Sequence, residues 1–409
     1  MTTDTAAPTT TKRGIARGAL AGAAFLMATS AIGPGFLTQT TVFTQKMGAS
    51  FGFVILLSIA LDVVAQMAVW RTVSVSGKRA HELANGVVSG AGVVLALAVA
   101  AGGLAFNIGN VAGAGLGLNA LTGIDPVVGA IGTAVLAVGL FVLKDAARAV
   151  DAFVRVCGVV MVGLIVAMVA RSHPPLLPTL RATLVPDVFD ARTVVTLVGG
   201  TVGGYITFAG AHRLVDAGLT GVGHLRAVTR SAAVGISVTA AIRYLLFLGT
   251  LGVIASGGVL DAGNPTSSVF ELSFGDLGKR AFGLMMWAAA ITSVIGSAYT
   301  SISFLSGLHP RIASSRGVAT VAFIAVSTIV FALFGKPVAV LVIAGYINVH
   351  PPLRARPGAG RCTPDQVHGQ PPGSVDAGGA RVECRHRHRL ARAVEPAVAP
   401  TTGPPSCEG

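Results

Sequence analysis

The chain has 409 residues, 52% of them hydrophobic and only 11% charged, with a mean hydropathy of +0.73. A soluble domain carries about 25% charged residues, so a water-solvated globule is excluded. The net charge of +13 is not gathered into the basic stripe that phosphate binding needs, which excludes nucleic acid as a partner and leaves the lipid bilayer.

Residues 1–17 read as a cytoplasmic tail, in which Lys12, Arg13 and Arg17 precede the first apolar run. Such a start can pass for a signal peptide, but further apolar segments favour an uncleaved first helix. Ten segments follow in chain order, at 18–44, 51–73, 87–119, 126–143, 149–170, 193–212, 228–256, 278–306, 317–334 and 337–349. A span needs about 20 apolar residues, so residues 18–348 form one all-α, polytopic membrane domain. Threading these spans from a cytoplasmic N-terminus puts Arg71, Lys78, Arg79, Lys144, Arg148, Arg213, Arg226, Arg230, Arg311 and Arg316 inside. Only Lys46, Arg171, Arg181, Arg192, Lys279, Arg280 and Lys336 fall outside, as the positive-inside rule requires of a multi-pass protein of the cell membrane.

The first segment is interrupted at its centre by Gly33-Pro34-Gly35 and continues through Thr38, Gln39, Thr40 and Thr41. Proline removes a backbone donor and glycine costs about 1 kcal/mol against alanine in a helix, so the helix unwinds there. The second segment carries Asp62, an ionisable residue at membrane depth and therefore a functional candidate; the alternative is an ion pair with Arg155 or Arg243. The sixth segment repeats the interruption at Gly203-Gly204, followed by Tyr205 and Thr207. Unwound backbone at membrane depth survives where it lines a cavity or is buried in protein. Breaks at positions one and six of two five-span halves point to an inverted-repeat transporter with its site at the midplane. His212, Arg213 and Asp216 end the sixth segment as a gate or a solvated helix end, and Ser293 and Ser297 share one face of the eighth.

The residues carry a resemblance. Gln66 followed by Ser76-Gly77-Lys78, the run Gly117-Leu118-Asn119-Ala120-Leu121-Thr122-Gly123-Ile124, and Gly199-Gly200-Thr201-Val202 are together similar to motifs of the Nramp family of divalent-metal carriers. The resemblance covers about residues 18–348 and implies the LeuT-type inverted-repeat fold of five plus five helices, with secondary active transport by alternating access. Where the family places an Asp-Pro-Gly-Asn metal site, this chain has Gly33-Pro34-Gly35-Phe36; where the family has Met-Pro-His, it has Gly203-Gly204-Tyr205. The acids that the family associates with proton movement align with Asn107 and Asn110. The expected substrate-binding set is therefore Gly33, Pro34, Gly35, Thr38, Gln39, Thr40, Asn107, Asn110, Gly203, Gly204 and Tyr205. The family implies a metal ion as cargo. The polar, uncharged breaks, whose new helix ends attract ions, suit a small organic acid or an amino-acid-like solute. A non-transporting sensor is the remaining reading.

No cofactor is expected. An enzyme is not expected either, since the spans show no nucleophile with a base and no ligand motif. Past the tenth segment the composition changes abruptly: residues 349–409 are rich in Pro, Gly and Arg. Cys362, Cys384, His386 and His388 there fit no zinc spacing, and with Cys157 and Cys407 they give no disulfide framework. The tail reads as disordered and frameshifted, which would leave the tenth helix truncated.

Overall fold

The computed structural model describes residues 18, 20–23, 28, 31–142 and 144–348, with the backbone alone of residues 142, 144–152 and 155. The expectations for the 1–17 tail, for the 349–409 tail and for an Arg155 ion pair fall outside the described residues. What is described is helical: α1 Pro34–Met47, α2 Phe51–Ser76, α3 Ala80–Val87, α4 Ala91–Thr122, α5 Pro126–Val142, α6 Lys144–Ser172 and α7 Leu176–Leu184. It continues with α8 Ala191–Thr201, α9 Tyr205–Asp216, α10 Leu225–Ala255, α11 Pro265–Ser306, α12 Pro310–Ser314, α13 Arg316–Phe334 and α14 Pro337–Ile347.

Each of the ten apolar segments carries helix, but fewer are long, unbroken spans. Among the described residues, six helical stretches are long and apolar enough to cross a membrane: Pro34–Ser76, Ala91–Thr122, Ala191–Asp216, Val222–Ala255, Pro265–Ser306 and Arg316–Phe334. Val156–Ser172 with Leu176–Leu184, bent by 111°, counts as a seventh if taken as one span. Pro126–Phe141 and Pro337–Ile347 are shorter. α14 has 11 residues, about 16 Å at 1.5 Å per residue against a hydrocarbon core of about 30 Å.

Polarity runs opposite to that of a water-soluble protein. On α2, Ser58, Asp62, Gln66 and Ser74 are buried while Leu56, Leu61 and Val64 face outward. Lipid accepts apolar side chains at no cost, whereas a polar group in hydrocarbon must find a partner. The polar side of α2 therefore turns into the protein. α4 and α11 form the longest contact, and the short α14 packs against α1, α4 and α8.

Helix also lies outside the expected segments, in α3, α7 and α12 and ahead of the eighth. Pro265–Phe274 is helical ahead of the expected eighth span, separated from the rest of α11 by Gly275 at φ 70°. Its start is legible in hindsight, because Asn264 accepts a hydrogen bond from the Ser267 amide and Pro265 occupies the first turn.

Candidate substrate site at two broken helices

Both interruptions are present where the glycines place them. At the first, Ala28 and Ala31 are helical, Ile32 and Gly33 are not, and Pro34 starts α1; Gly33 is extended at φ −104°, ψ −174°. At the second, α8 ends at Thr201 and α9 begins at Tyr205, with Gly204 at φ 45°, a region open to glycine at no steric cost. Gly33, Pro34, Gly35, Gly203 and Gly204 are all buried, so neither break is a surface loop.

Two carbonyls freed at the second break are answered by side chains. Thr207 Oγ1 donates to the Val202 carbonyl, and Asn348 Nδ2 donates to the Gly199 carbonyl at 2.9 Å. Around the first break the hydroxyls act within their own helix: Thr40 donates to the Phe36 carbonyl at 2.7 Å and Thr41 to the Leu37 carbonyl at 3.1 Å. Thr38 is buried in the same turn. Gln39 reaches further, donating from Nε2 to the Leu341 carbonyl of α14 at 2.9 Å, while its Oε1 has no partner. A Cβ on Gly200 would stand 2.5 Å from that Oε1, so Gln39 is wedged between α8 and α14.

One stripe of α4 meets both breaks. Phe106 packs edge-on against Tyr205, with ring centroids 5.5 Å apart. One turn later Asn110 faces the Tyr205 hydroxyl, and neither makes a hydrogen bond of good geometry. Three residues further on, Gly113 lies so close to Pro34 that a Cβ there would overlap the proline ring. Residues 106, 110 and 113 lie on one helical face, and that face joins α1 to α9. Asn107 points elsewhere: it accepts from Ser297 Oγ at 2.8 Å and donates to Ser327 Oγ at 3.0 Å, tying α4 to α11 and α13.

Arg243 of α10, considered from sequence only as a partner for Asp62, proves to belong to the breaks. It is 2% exposed; Nη1 donates to Thr201 Oγ1 at 2.8 Å, and the guanidinium lies 4.2 Å over the Phe36 ring. Thr201 is the last residue before the second break and Phe36 the third residue after the first. Among the described residues Asp62 and Arg243 make no ion pair. Asp62 Oδ1 and Arg243 Nε and Nη2 are buried without hydrogen-bond partners.

Two other predicted positions lie at the end of α9. His212 stacks on Phe304 with centroids 4.9 Å apart and accepts from the Ala80 amide, while Asp216 pairs with Arg79 at 3.2 Å. They close α9 onto α3 and α11. The described residues hold no cluster of three or more His, Cys, Asp or Glu side chains able to bind a metal ion. A surface cavity of about 650 Å³ opens between Val42 of α1, Gly263 and Lys336, away from both interruptions.

Comparison with known proteins agrees with this architecture. An uncharacterized membrane protein YcsG of Bacillus subtilis is 54% identical over 330 residues, covering 80% of this chain and 81% of its own length. An uncharacterized membrane protein of Haemophilus influenzae is 51% identical over 332 residues, covering 81% and 84%. Among solved structures, a mutant of the Eremococcus coleocola manganese transporter superposes with a TM-score of 0.57 at 15% identity, covering 96% of each chain. The same transporter with an aromatic bis-isothiourea substituted compound gives 0.53 at 14% identity. At that identity the likeness shows the fold, an all-helical inverted repeat of the LeuT type. The family model described as natural resistance-associated macrophage protein-like matches residues 24–350. The chain belongs to the Nramp family, a family of transporters and not of enzymes.

Proposed function

We propose that this protein is a secondary active transporter that moves a small solute across the cell membrane by alternating access, with its N-terminus in the cytoplasm. The observation that carries this is the convergence of two buried breaks, at Gly33 and at Gly203-Gly204, on one stripe of α4. In such a fold one bundle of helices rocks against the other around a fixed site, and solute is held at the broken helices. Family membership and the manganese transporters it resembles make a divalent metal ion the first cargo to test.

The donor set at the breaks bears on that cargo. Gln39, Asn110, Tyr205 and Thr201 offer amide and hydroxyl oxygens and no carboxylate or thioether, and Arg243 adds a fixed positive charge. Transition-metal selectivity rests on softer ligands, and a dehydrated divalent ion beside a guanidinium is opposed by it. Manganese should therefore bind the purified protein without a saturable site in the low micromolar range. Calorimetry that finds tight, stoichiometric manganese binding, abolished by substitutions at Gly203 and Tyr205, would restore metal as the cargo. Uptake into proteoliposomes separates a transporter from a sensor: flux lost in a Gly203 variant supports transport, and no flux of any solute refutes it.

A further inference from the structure

We infer that Arg243 is the anchor of a carboxylate-binding subsite between the two broken helices, so that the transported solute is a small organic anion. This rests on the transporter reading above and names its substrate class.

The argument starts from the guanidinium. Arginine has five N–H donors in a rigid fork and cannot shed its charge. Here the plane is fixed on one side by the Phe36 ring at 4.2 Å, and Nη1 is fixed by Thr201 Oγ1 at 2.8 Å. The remaining atoms, Nε and Nη2, are buried and have no acceptor. They form one edge of the fork, and that edge matches the two oxygens of a carboxylate, each accepting one parallel N–H. Asp62 is the claimant that the sequence offers, yet among the described residues the two do not close to an ion pair, and Asp62 Oδ1 is itself without a partner.

The backbone around the guanidinium adds to its charge. α1, whose third residue is Phe36, and α9, which starts four residues after Thr201, both begin at the breaks. Their first-turn amides present the positive ends of helices of 14 and 12 residues. α8 ends there too, and its carbonyl end is partly answered by Asn348, which donates to the Gly199 carbonyl, and by Thr201 Oγ1, which donates to the Leu197 carbonyl. Beyond the charge, Tyr205 and Asn110 supply a hydroxyl and an amide, both unpartnered, for polar groups elsewhere on a small solute. Buried donors of this kind discriminate strongly against an analogue that cannot use them.

The test uses the full chain, purified in detergent, with lactate, succinate and glutamate as probes and the corresponding amides as controls, titrated by calorimetry. At least one carboxylate should bind saturably while its amide does not. Arg243→Gln should weaken that binding by about tenfold or more, and Arg243→Lys should fall between, because lysine keeps the charge but loses the fork. Failure of all three probes to bind, or binding that Arg243→Gln changes by less than about twofold, overturns the inference. Should Arg243→Gln fail to fold, wild-type protein gives the second reading. Modification of Arg243 by phenylglyoxal, followed by peptide mass spectrometry, should be slowed by the bound carboxylate and not by its amide; no slowing overturns the inference. Flux that depends on Gly203 without carboxylate binding leaves the transporter reading standing and this one refuted. Carboxylate binding without flux does the reverse.

Discussion

Two glycines that look alike in sequence should respond in opposite ways to a single methyl group. Gly203 lies in the second break, where a Cβ would overlap the Gly199 carbonyl oxygen and stand 2.5 Å from the Asn348 carbonyl oxygen and 2.8 Å from its Nδ2. Carbon and oxygen in ordinary contact are about 3.4 Å apart, so the methyl intrudes by about 1 Å on backbone that cannot rotate away, and overpacking of this size costs about 1–3 kcal/mol. Gly35 already sits in the first turn of α1, and a Cβ there would meet Gln39 Nε2 at 3.6 Å and the Leu341 carbonyl at 3.8 Å, which is normal packing. Alanine there removes the entropic cost of glycine in a helix, roughly 0.5–1 kcal/mol in the opposite direction. With about 2–4 °C per kcal/mol for domains of 150–250 residues, Gly203→Ala should lower the detergent melting temperature by several degrees and abolish uptake. Gly35→Ala should leave the melting temperature unchanged or slightly raised. Differential scanning fluorimetry of the two variants beside wild type reads both. Equal melting temperatures, or a Gly35→Ala protein less stable than Gly203→Ala, would show that the backbone at residue 203 is not held as described.

Asn348→Ala removes the donor to the Gly199 carbonyl and should cost about 1–2 kcal/mol, whereas Asn348→Asp, which keeps the shape without the donor, should do no better; a melt in which aspartate matches wild type contradicts the assignment. The Lys46–Asp190 ion pair joins the end of α1 to the cap of α8. The hydrogen bond from Lys46 chiefly holds the Asp190 carboxyl down from 3.8 to about 2. A depressed carboxyl stabilises the fold above its unfolded value and loses that contribution as pH falls through its folded value, so this tie should persist at neutral pH and fail only below about pH 4, going fully near pH 2. Carboxyl-carbon NMR of labelled Asp190 checks this, and a midpoint at or above 3.8 contradicts it. For the 349–409 tail, the encoding DNA read in another frame after about codon 348 should continue with at least about 18 apolar codons; if neither alternative frame does, the tail is the protein's own.

The interruptions could be read from sequence because glycine and proline act locally: Gly33-Pro34-Gly35 and Gly203-Gly204 weaken a helix wherever they stand. Arg243 could not, because one arginine in an apolar run says only that it needs company, and which helices provide it is a property of the packed fold. Gly113 was equally silent among the many small residues of α4, and its role appears only in how closely it approaches Pro34. The Thr38 to Thr41 run illustrates the reverse error of emphasis. Its residue types suggest a ligand lining, yet Thr40 and Thr41 spend their hydroxyls on carbonyls one turn back, a local bond that a hydroxyl in a helix makes readily. Asn107 and Asn110, three residues apart, look alike in sequence, but one braces α11 and α13 while the other meets Tyr205.

α14 is too short to cross a bilayer, yet it holds both interruptions in place: Gln39 hangs from its Leu341 carbonyl, and Asn348 at its end grips Gly199. It works as a rivet between α1 and α8. Any motion that parts α1 and α8 from this helix must break two buried hydrogen bonds together. At about 1 kcal/mol each, the pair would slow such an opening by about 30-fold, since each 1.36 kcal/mol on a barrier is tenfold in rate. In the proposed cycle the rate of opening would be set in part by this short helix and its C-cap residue Asn348, and loosening the rivet should quicken the cycle at the expense of a state that leaks.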